Sequence, residues 1–299
     1  MRTGTALEMS TGHVASRDGT RIGYLRVGRG PAVVVVHGSN ESARSHSRLA
    51  AALADAFTVY LPDRRGRGLS GPFRPDHDLR TEVEDLAAVL DLSGAQRVFG
   101  VSVGGLIALA AARTLPAIRT MAVYEPALLS QTGRYTDWLT RFDREMAQGE
   151  VAAALVTSMY GLDLAPRALR LMPRRLLVAL TDWALTTEER QAPAGAVTMR
   201  QLAPTLHQDV TLLAESAGTL STYADVSSDV LLLGGTRRGP AFLAPALDAL
   251  ERTVPNSARM VLPGLDHGGS SDPSPTNRRG RPDIVAEAIR PFFASTPTA

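Results

Sequence analysis

Short apolar runs alternate with segments of helical period along this 299-residue chain, and the alternation predicts its fold. The run Ala32–Val36 is continuous and mostly β-branched, which is typical of a strand buried on both faces. Residues 79–92 carry apolar side chains three and four positions apart, which indicates a helix with one buried face. Asp18-Gly19, between two alternating runs at 12–16 and 21–27, predicts a hairpin. Further strands are predicted at 57–61, 97–99, 120–124, 230–233 and 259–262.

The pattern changes between residues 127 and 223, where strand signals give way to amphipathic helical segments. We interpret 127–223 as a helical lid, or cap domain, inserted into a core domain formed by 1–126 and 224–299. Strands that alternate with helices predict an α/β fold, in which helices flank a mostly parallel central sheet. Residues 268–281 are rich in Ser, Pro, Gly and Arg, which predicts an irregular loop. Helices are predicted in the insertion at 135–146, 151–160, 165–185 and 205–220, and outside it at 43–56, 103–115, 241–253 and 283–293.

A G-x-S-x-G pattern, formed by Gly100, Ser102 and Gly104, falls between a predicted strand and a predicted helix. A strand-to-helix turn this tight brings backbone close to backbone, so a Cβ at either glycine would clash. The serine is then exposed at a helix N-terminus, where N–H groups face a developing negative charge. Ser102 is therefore the candidate nucleophile, and the alternative is an elbow of the same shape without activity.

Polar residues follow several of the predicted strands directly. In an open parallel sheet, sites form at the carboxyl ends of the strands, so we expect these side chains to lie near one another. The set comprises His37, Asp63, Ser102, Glu125 and His267.

The order of elements, the serine elbow and three further segments resemble the α/β-hydrolase superfamily over nearly the whole chain. His37-Gly38 follows an early strand, 63–70 is similar to the D-x-R-G-x-G-x-S loop of that family, and 262–267 is similar to the segment that carries its histidine. The resemblance implies the α/β-hydrolase fold, a serine nucleophile, and the chain order serine, acid, histidine. It implies His267 as the general base, since His207, the other histidine after Ser102, falls in the predicted lid.

The resemblance leaves open which residue is the acid of the serine–acid–histidine triad. In most relatives it follows the strand matched here by 230–233, but Gly234–Gly239 contains no carboxylate. Glu125 follows the strand after the elbow, and some relatives, including certain dehalogenases and polyketide thioesterases, carry their acid there. A carboxylate at that place can orient the imidazole. The alternatives are Asp266 or no acid at all, with Glu125 in a structural role at the hinge of the lid.

The resemblance also implies an oxyanion hole formed by the backbone N–H groups of Ser39 and Val103. Asp63 and Arg64 are interpreted as residues that brace their loop. The remaining candidates would line a substrate pocket, against the alternative that His37 holds its loop through hydrogen bonds and that the apolar helical positions pack in a core. These pocket candidates are His37, His46, Trp138, Tyr160 and Trp183.

Composition narrows the function classes. The chain has no cysteine, which excludes disulfides, a thiolate nucleophile and cysteine metal sites, and no metal-ligand spacing is present. All 32 basic residues are arginine, but the net charge is only +2 and no dense basic stripe points to nucleic acid. No run has the length of a membrane span, and residues 1–10 lack the apolar run of a secretory signal, so we expect a cytoplasmic protein.

Together these features predict a serine hydrolase that cleaves a small-molecule ester, thioester or lactone with an apolar portion, without cofactor or metal. The apolar helical insertion motivates the apolar portion. Two alternatives stay open: a non-hydrolytic enzyme on the same scaffold, for C–C bond cleavage, acyl transfer or cyclisation, and a non-catalytic ligand receptor. The sequence leaves both a monomer and a homodimer possible.

Overall fold

The computed structural model describes residues 9–130, 133–164, 167–193, 195–237, 239–274 and 277–295. Within these ranges an eight-stranded sheet is flanked by helices. The strands are β1 (Ser10–Ala15), β2 (Arg21–Gly28), β3 (Ala32–Val36), β4 (Thr58–Pro62), β5 (Arg97–Val101), β6 (Thr120–Tyr124), β7 (Asp229–Gly235) and β8 (Ser257–Leu262). The helices are α1 (Ser47–Leu53), α2 (Leu79–Ser93), α3 (Val103–Ala112), α4 (Leu139–Ala147), α5 (Val151–Gly161), α6 (Arg167–Arg170), α7 (Arg174–Gln191), α8 (Met199–Leu202), α9 (Leu206–Glu215), α10 (Leu243–Thr253) and α11 (Pro282–Ala294).

The strand order across the sheet is β1-β2-β4-β3-β5-β6-β7-β8. β1 pairs with β2, and β2 with β4, in antiparallel fashion, while the other pairs are parallel. The prediction of a mostly parallel sheet with an N-terminal hairpin is confirmed. Parallel pairing aligns the carboxyl ends of β3, β5, β6 and β7 at one edge, which is where the candidate residues were expected to meet.

Both faces of the sheet are buried, which explains why the central strands are apolar without alternation. On one face Val34, Val98 and Val123 join a core with α2, α3 and α10. On the other face Val35 and Phe99 join a core with α1 and α11. Two cores on opposite faces hold the sheet as one rigid platform for the loops at its edge.

Helices α4 to α9 lie between β6 and β7, in the segment where helices were predicted. The predicted helix at 165–185 is divided in two, because α7 begins after Pro173, whose ring and missing N–H prevent a helix from continuing through it. Parts of the segment have small apolar cores of their own, and one contains Phe142, Ala154, Leu206 and Val210. In the part of the chain that the structure describes, no helix has the length and apolar character needed to cross a membrane.

Candidate active site

Ser102 lies at the turn between β5 and α3, with a backbone φ of 52°. Few residues other than glycine occupy this left-handed region, and such conformations concentrate at functional sites. Two backbone hydrogen bonds hold the turn: the Ser102 N–H donates to the carbonyl of Tyr124 at 3.0 Å, and the Ser102 carbonyl accepts from the N–H of Ala127 at 3.0 Å. The strained serine is therefore fixed by the strand and loop beside it.

The glycines of the elbow are required by close backbone contacts. A Cβ on Gly104 would lie 2.1 Å from the carbonyl oxygen of Val36, and a Cβ on Gly100 would lie 2.5 Å from the carbonyl oxygen of Gly104. Both distances are far below van der Waals contact with rigid backbone. The start of α3 can therefore pack against β3 and β5 only with glycine at these positions.

Three of the predicted residues form a continuous hydrogen-bonded chain. His267 Nε2 lies 3.2 Å from Ser102 Oγ, and His267 Nδ1 lies 2.8 Å from Glu125 Oε2. Because a carboxylate can only accept, Nδ1 carries the proton and Nε2 is free to accept from the serine hydroxyl. Glu125 is buried, and its second oxygen accepts the N–H of Gly235 at 2.9 Å. The arrangement can remove a proton from Ser102 and stabilise the resulting imidazolium.

Asp266, the alternative acid, and His207, the alternative base, have other hydrogen-bond partners. Asp266 accepts the N–H of Gly268 with its own carboxylate, so it braces the loop of His267. His207 lies on α9, where it pairs with Asp143 at 2.9 Å. The structure thus brings Glu125, rather than Asp266, to the imidazole.

A cavity of about 150 Å³ opens beside Ser102 and His267. The loop after β3 contributes Ser39 to its lining, and α3 contributes Val103. The first N–H groups of a helix have no partner within it, so that of Val103 is available to a ligand. The N–H of Gly38 donates to Glu41 Oε2 at 2.8 Å, so this N–H is not available to a ligand. The other walls are largely apolar and come from the helical insertion and the loop before α10: Leu162, Leu164, Leu206, Val210, Leu213 and Phe242.

A sequence model of the alpha/beta hydrolase family matches residues 33–288. The chain belongs to the alpha/beta hydrolase family. It is 27% identical over 275 residues, 91% of its own length and 98% of the relative, to a pimeloyl-[acyl-carrier protein] methyl ester esterase of Xanthomonas campestris pv. campestris (strain B100). A solved alpha/beta hydrolase of Sphaerobacter thermophilus DSM 20745 is 30% identical, with a TM-score of 0.75 over 95% of this chain and 100% of that one. A thermophilic esterase of Thermogutta terrifontis shares the fold at 18% identity, with a TM-score of 0.69 over 95% of this chain and 98% of that one.

None of the five predicted pocket residues of this hydrolase is among the described residues that line the cavity at Ser102. Trp138 and Tyr160 instead line a separate, open cavity of about 610 Å³ within the helical insertion. Trp183 is 69% exposed on α7. These three side chains therefore lie away from the cavity at Ser102, because helical period does not indicate which neighbour covers a helix face.

The two histidines of that prediction are buried in structural roles. His37 Nε2 accepts the N–H of Arg64 at 3.1 Å, and Nδ1 donates to the carbonyl of Gly38 at 2.9 Å. Burial, with the nearby charges of Arg67 and Arg64, holds the pKa of His37 well below its ordinary value. This histidine is therefore neutral and holds two loops together, as its alternative interpretation expected.

His46 belongs to a group centred on Glu41, a residue that sequence reasoning missed. The Glu41 carboxylate lines the cavity and accepts from the N–H of Gly38, from His46 Nε2 at 3.0 Å, and from Ser271 Oγ. Burial alone would raise the pKa of Glu41, but the His46 charge and these hydrogen bonds lower it to about 2. The group joins the loop after β3 to the loop after His267. A loop glutamate five residues before a histidine has no local pattern that would have revealed this contact.

A second buried charged group joins the core to the helical insertion. Arg64, in the loop after β4, donates to both carboxylate oxygens of Glu82 at 3.0 and 2.7 Å. Asp209 of α9 lies 2.8 Å from Arg64 and 3.1 Å from Arg67. Asp63 accepts the N–H of Ala43 at 2.7 Å and so braces the same loop. The insertion is thereby fixed to the loop that begins at the carboxyl end of β4.

Proposed function

We propose that this hydrolase cleaves a small-molecule carboxylic ester, thioester or lactone through an acyl-serine intermediate. The observation that carries the proposal is the chain from Ser102 through His267 to Glu125, with separations of 3.2 and 2.8 Å. The combination of a hydroxyl on a strained turn, an imidazole and a buried carboxylate is the arrangement that activates serine nucleophiles.

In the first half-reaction His267 Nε2 takes the proton of Ser102 as Oγ attacks the carbonyl carbon. The carbonyl oxygen becomes an oxyanion, which the N–H groups of Ser39 and Val103 stabilise. His267 then returns the proton to the departing alkoxide or thiolate, which leaves as the alcohol or thiol. Ser102 is left as an ester of the acyl group.

In the second half-reaction His267 removes a proton from water, which attacks the acyl-serine carbonyl. The tetrahedral intermediate collapses, the proton returns to Ser102 Oγ, and the carboxylic acid leaves. Glu125 stays ionised throughout and stabilises the imidazolium that forms in each half.

The shape and lining of the cavity support a substrate with a compact apolar portion. A cavity of about 150 Å³ lined by aliphatic side chains holds a group of about the size of benzene. The relative named as a methyl ester esterase supports an oxygen ester over other carbonyl substrates. The proposal also includes a lid role for residues 127–223, a small-molecule acyl substrate and a cytoplasmic location.

A fluorophosphonate probe tests the proposal, because it phosphonylates an activated serine. We expect labelling at Ser102 by peptide mapping, loss of labelling in Ser102→Ala, and a fall of about 10⁴-fold or more in the hydrolysis of p-nitrophenyl butyrate. Ser39→Ala is the matched control: it also lines the cavity but would act through its N–H, so labelling and most activity persist. A folded Ser102→Ala variant with unchanged turnover would contradict the acyl-serine mechanism.

A further inference from the structure

A buried ion pair between Glu41 and His46 adjoins the catalytic cavity, and the proposed reaction does not use it. The Glu41 side chain lines the cavity and is 18% exposed, whereas the His46 side chain that contacts it is fully buried. His46 Nε2 lies 3.0 Å from Glu41 Oε2, and Nδ1 lies 3.3 Å from the carbonyl oxygen of Ser270. A carboxylate and a carbonyl can only accept, so both ring nitrogens carry a proton and His46 is an imidazolium.

The Glu41 carboxylate lies beside the place where the oxyanion of the proposed reaction forms. Glu41 Oε2 accepts the N–H of Gly38 at 2.8 Å, and the next residue is Ser39, whose N–H is proposed for the oxyanion hole. A Cβ on Gly38 would lie 3.2 Å from Glu41 Oε2 and 3.2 Å from the Cβ of Ser102. A fixed negative charge and the nucleophile are therefore both close to the same glycine.

A carboxylate at this place would oppose the reaction if nothing balanced its charge. A second negative charge forms on the carbonyl oxygen as Ser102 attacks, and like charges repel more strongly where protein excludes water. The other carboxylate among the described lining residues, Asp209, already pairs with two arginines, and no arginine is among those lining residues. The His46 imidazolium is therefore the group that balances Glu41.

We infer that His46 is a positioning residue that acts through Glu41: its imidazolium holds the carboxylate and neutralises the charge that would oppose oxyanion formation at Ser102. The inference rests on the proposed ester hydrolysis, since it concerns the oxyanion of that reaction. Ser271 Oγ, in the loop after His267, also donates to Glu41. The pair thus joins the two loops that flank the nucleophile while it balances the charge beside it.

The surroundings of His46 determine when the pair loses its charge balance. Two carboxylates face the imidazole, Glu41 from the loop after β3 and Asp272 from the loop after His267, and Arg48 of α1 lies beside Asp272. Burial alone would lower the pKa of His46, but these carboxylates raise it above 6.5. His37 also lies near Glu41 and is neutral. Loss of the His46 proton at alkaline pH would therefore leave a net negative charge beside the nucleophile.

The pH profile of kcat tests the inference, with p-nitrophenyl butyrate between about pH 5 and about pH 10. The chain has neither lysine nor cysteine, so histidines are the only side chains whose ordinary pKa lies between those of carboxylates and tyrosine. We expect kcat to rise as His267 loses its proton and then to fall by about tenfold or more as His46 loses its own. KM should change by less than about threefold, because the neutral ester gains charge only after attack.

Three variants assign the alkaline fall in kcat. His46→Gln keeps a donor for Glu41 without a charge, so its kcat should be about tenfold below wild type near neutral pH, with no further alkaline fall. Glu41→Gln removes the opposing charge itself, so its profile should also lack the fall. His207→Gln, at a histidine that pairs with Asp143 outside the cavity lining, is the matched control and should retain the fall. The unfolding midpoint at each pH checks that the fold persists.

Active wild-type protein without an alkaline fall in kcat would overturn the inference. So would an alkaline fall that persists in folded His46→Gln or Glu41→Gln, since the pair would then act on stability alone. If His46→Gln does not fold, the wild-type profile and Glu41→Gln decide. If wild-type protein neither hydrolyses the ester nor is labelled by the fluorophosphonate at Ser102, the proposed hydrolysis fails together with the inference, and the two failures are distinguished.

Discussion

The loops at the carboxyl end of the sheet and the helical insertion line one cavity, but they hold their side chains differently. In the loops, Ser102 and Glu125 have positive φ angles, and backbone hydrogen bonds to neighbouring strands fix both. In the insertion, the described part of the cavity wall is mostly aliphatic, and the buried carboxylate of Asp209 pairs with Arg64 and Arg67 of the loop after β4. The sheet therefore fixes the atoms of the proposed triad, whereas the insertion lines the space beside them.

The largest expected effect lies in the loops, at the carboxylate that orients His267. Glu125→Gln should lower kcat by about 10⁴-fold, because a neutral amide neither fixes the tautomer nor stabilises the imidazolium. Hydrolysis of p-nitrophenyl butyrate measures the change, and the unfolding midpoint checks that the fold persists. Asp266→Asn is the matched control and should stay within about tenfold of wild type. If Asp266→Asn lowered kcat more than Glu125→Gln does, Asp266 would be the acid instead.

A second prediction compares glycines in the two regions. Gly104→Ala should destabilise the protein by about 3 kcal/mol or more, or prevent folding, because its Cβ would lie 2.1 Å from the carbonyl oxygen of Val36. Gly218→Ala, in the insertion, meets nothing within 4 Å and has a φ of +78°, so only the left-handed backbone opposes it, at about 1–2 kcal/mol. Urea unfolding of both variants measures the difference. Equal losses would show that the elbow can relax around an added methyl.

More of the structure was predictable from the sequence in the loops at the carboxyl end of the sheet than in the helical insertion. The bounds of Ala32–Val36 and Thr120–Tyr124 agree with the prediction, because each short apolar run ends at polar or turn-forming residues, His37-Gly38 and Glu125-Pro126. The rule that parallel strands end at one edge predicted that Ser102, Glu125 and His267 lie near one another, but it left the choice of the acid open. Contacts between distant segments, such as Glu41 with Ser271, lie outside any local pattern and require the coordinates.

The third prediction concerns the buried pair of Glu41 and His46. The pKa of Glu41 falls from 4.5 to about 2, which corresponds to about 3 kcal/mol of stability present above pH 4.5 and lost as the pH falls toward 2. Burial alone would lower the pKa of His46, but the Glu41 charge raises it above 6.5. Its contribution is therefore present below pH 6.5 and is lost as the pH rises through the raised pKa.

His46→Gln tests this pair because glutamine can still donate to Glu41 but carries no charge. The variant should lose up to about 3 kcal/mol of unfolding free energy near pH 5.5, and the difference from wild type should shrink as the pH rises. Urea unfolding at several pH values measures both quantities. His13→Gln, on the exposed part of β1, is the control and should change stability by less than about 0.5 kcal/mol. A pH-independent difference would mean that His46 acts through packing alone.

The smallest effect is expected in the insertion, where the cavity wall should determine which acyl groups fit rather than the rate of the chemical steps. Val210→Ala removes two methyl groups from the cavity lining, so it should shift kcat/KM by about tenfold toward bulkier acyl groups, without a common fall in kcat. A series of p-nitrophenyl esters from acetate to a branched hexanoate measures the shift. Val156→Ala, at a buried valine of α5 outside that lining, should cost similar stability and leave the selectivity unchanged. An equal fall in kcat for every ester in Val210→Ala would instead mean that the insertion positions the reacting atoms, and the contrast between the two regions would disappear.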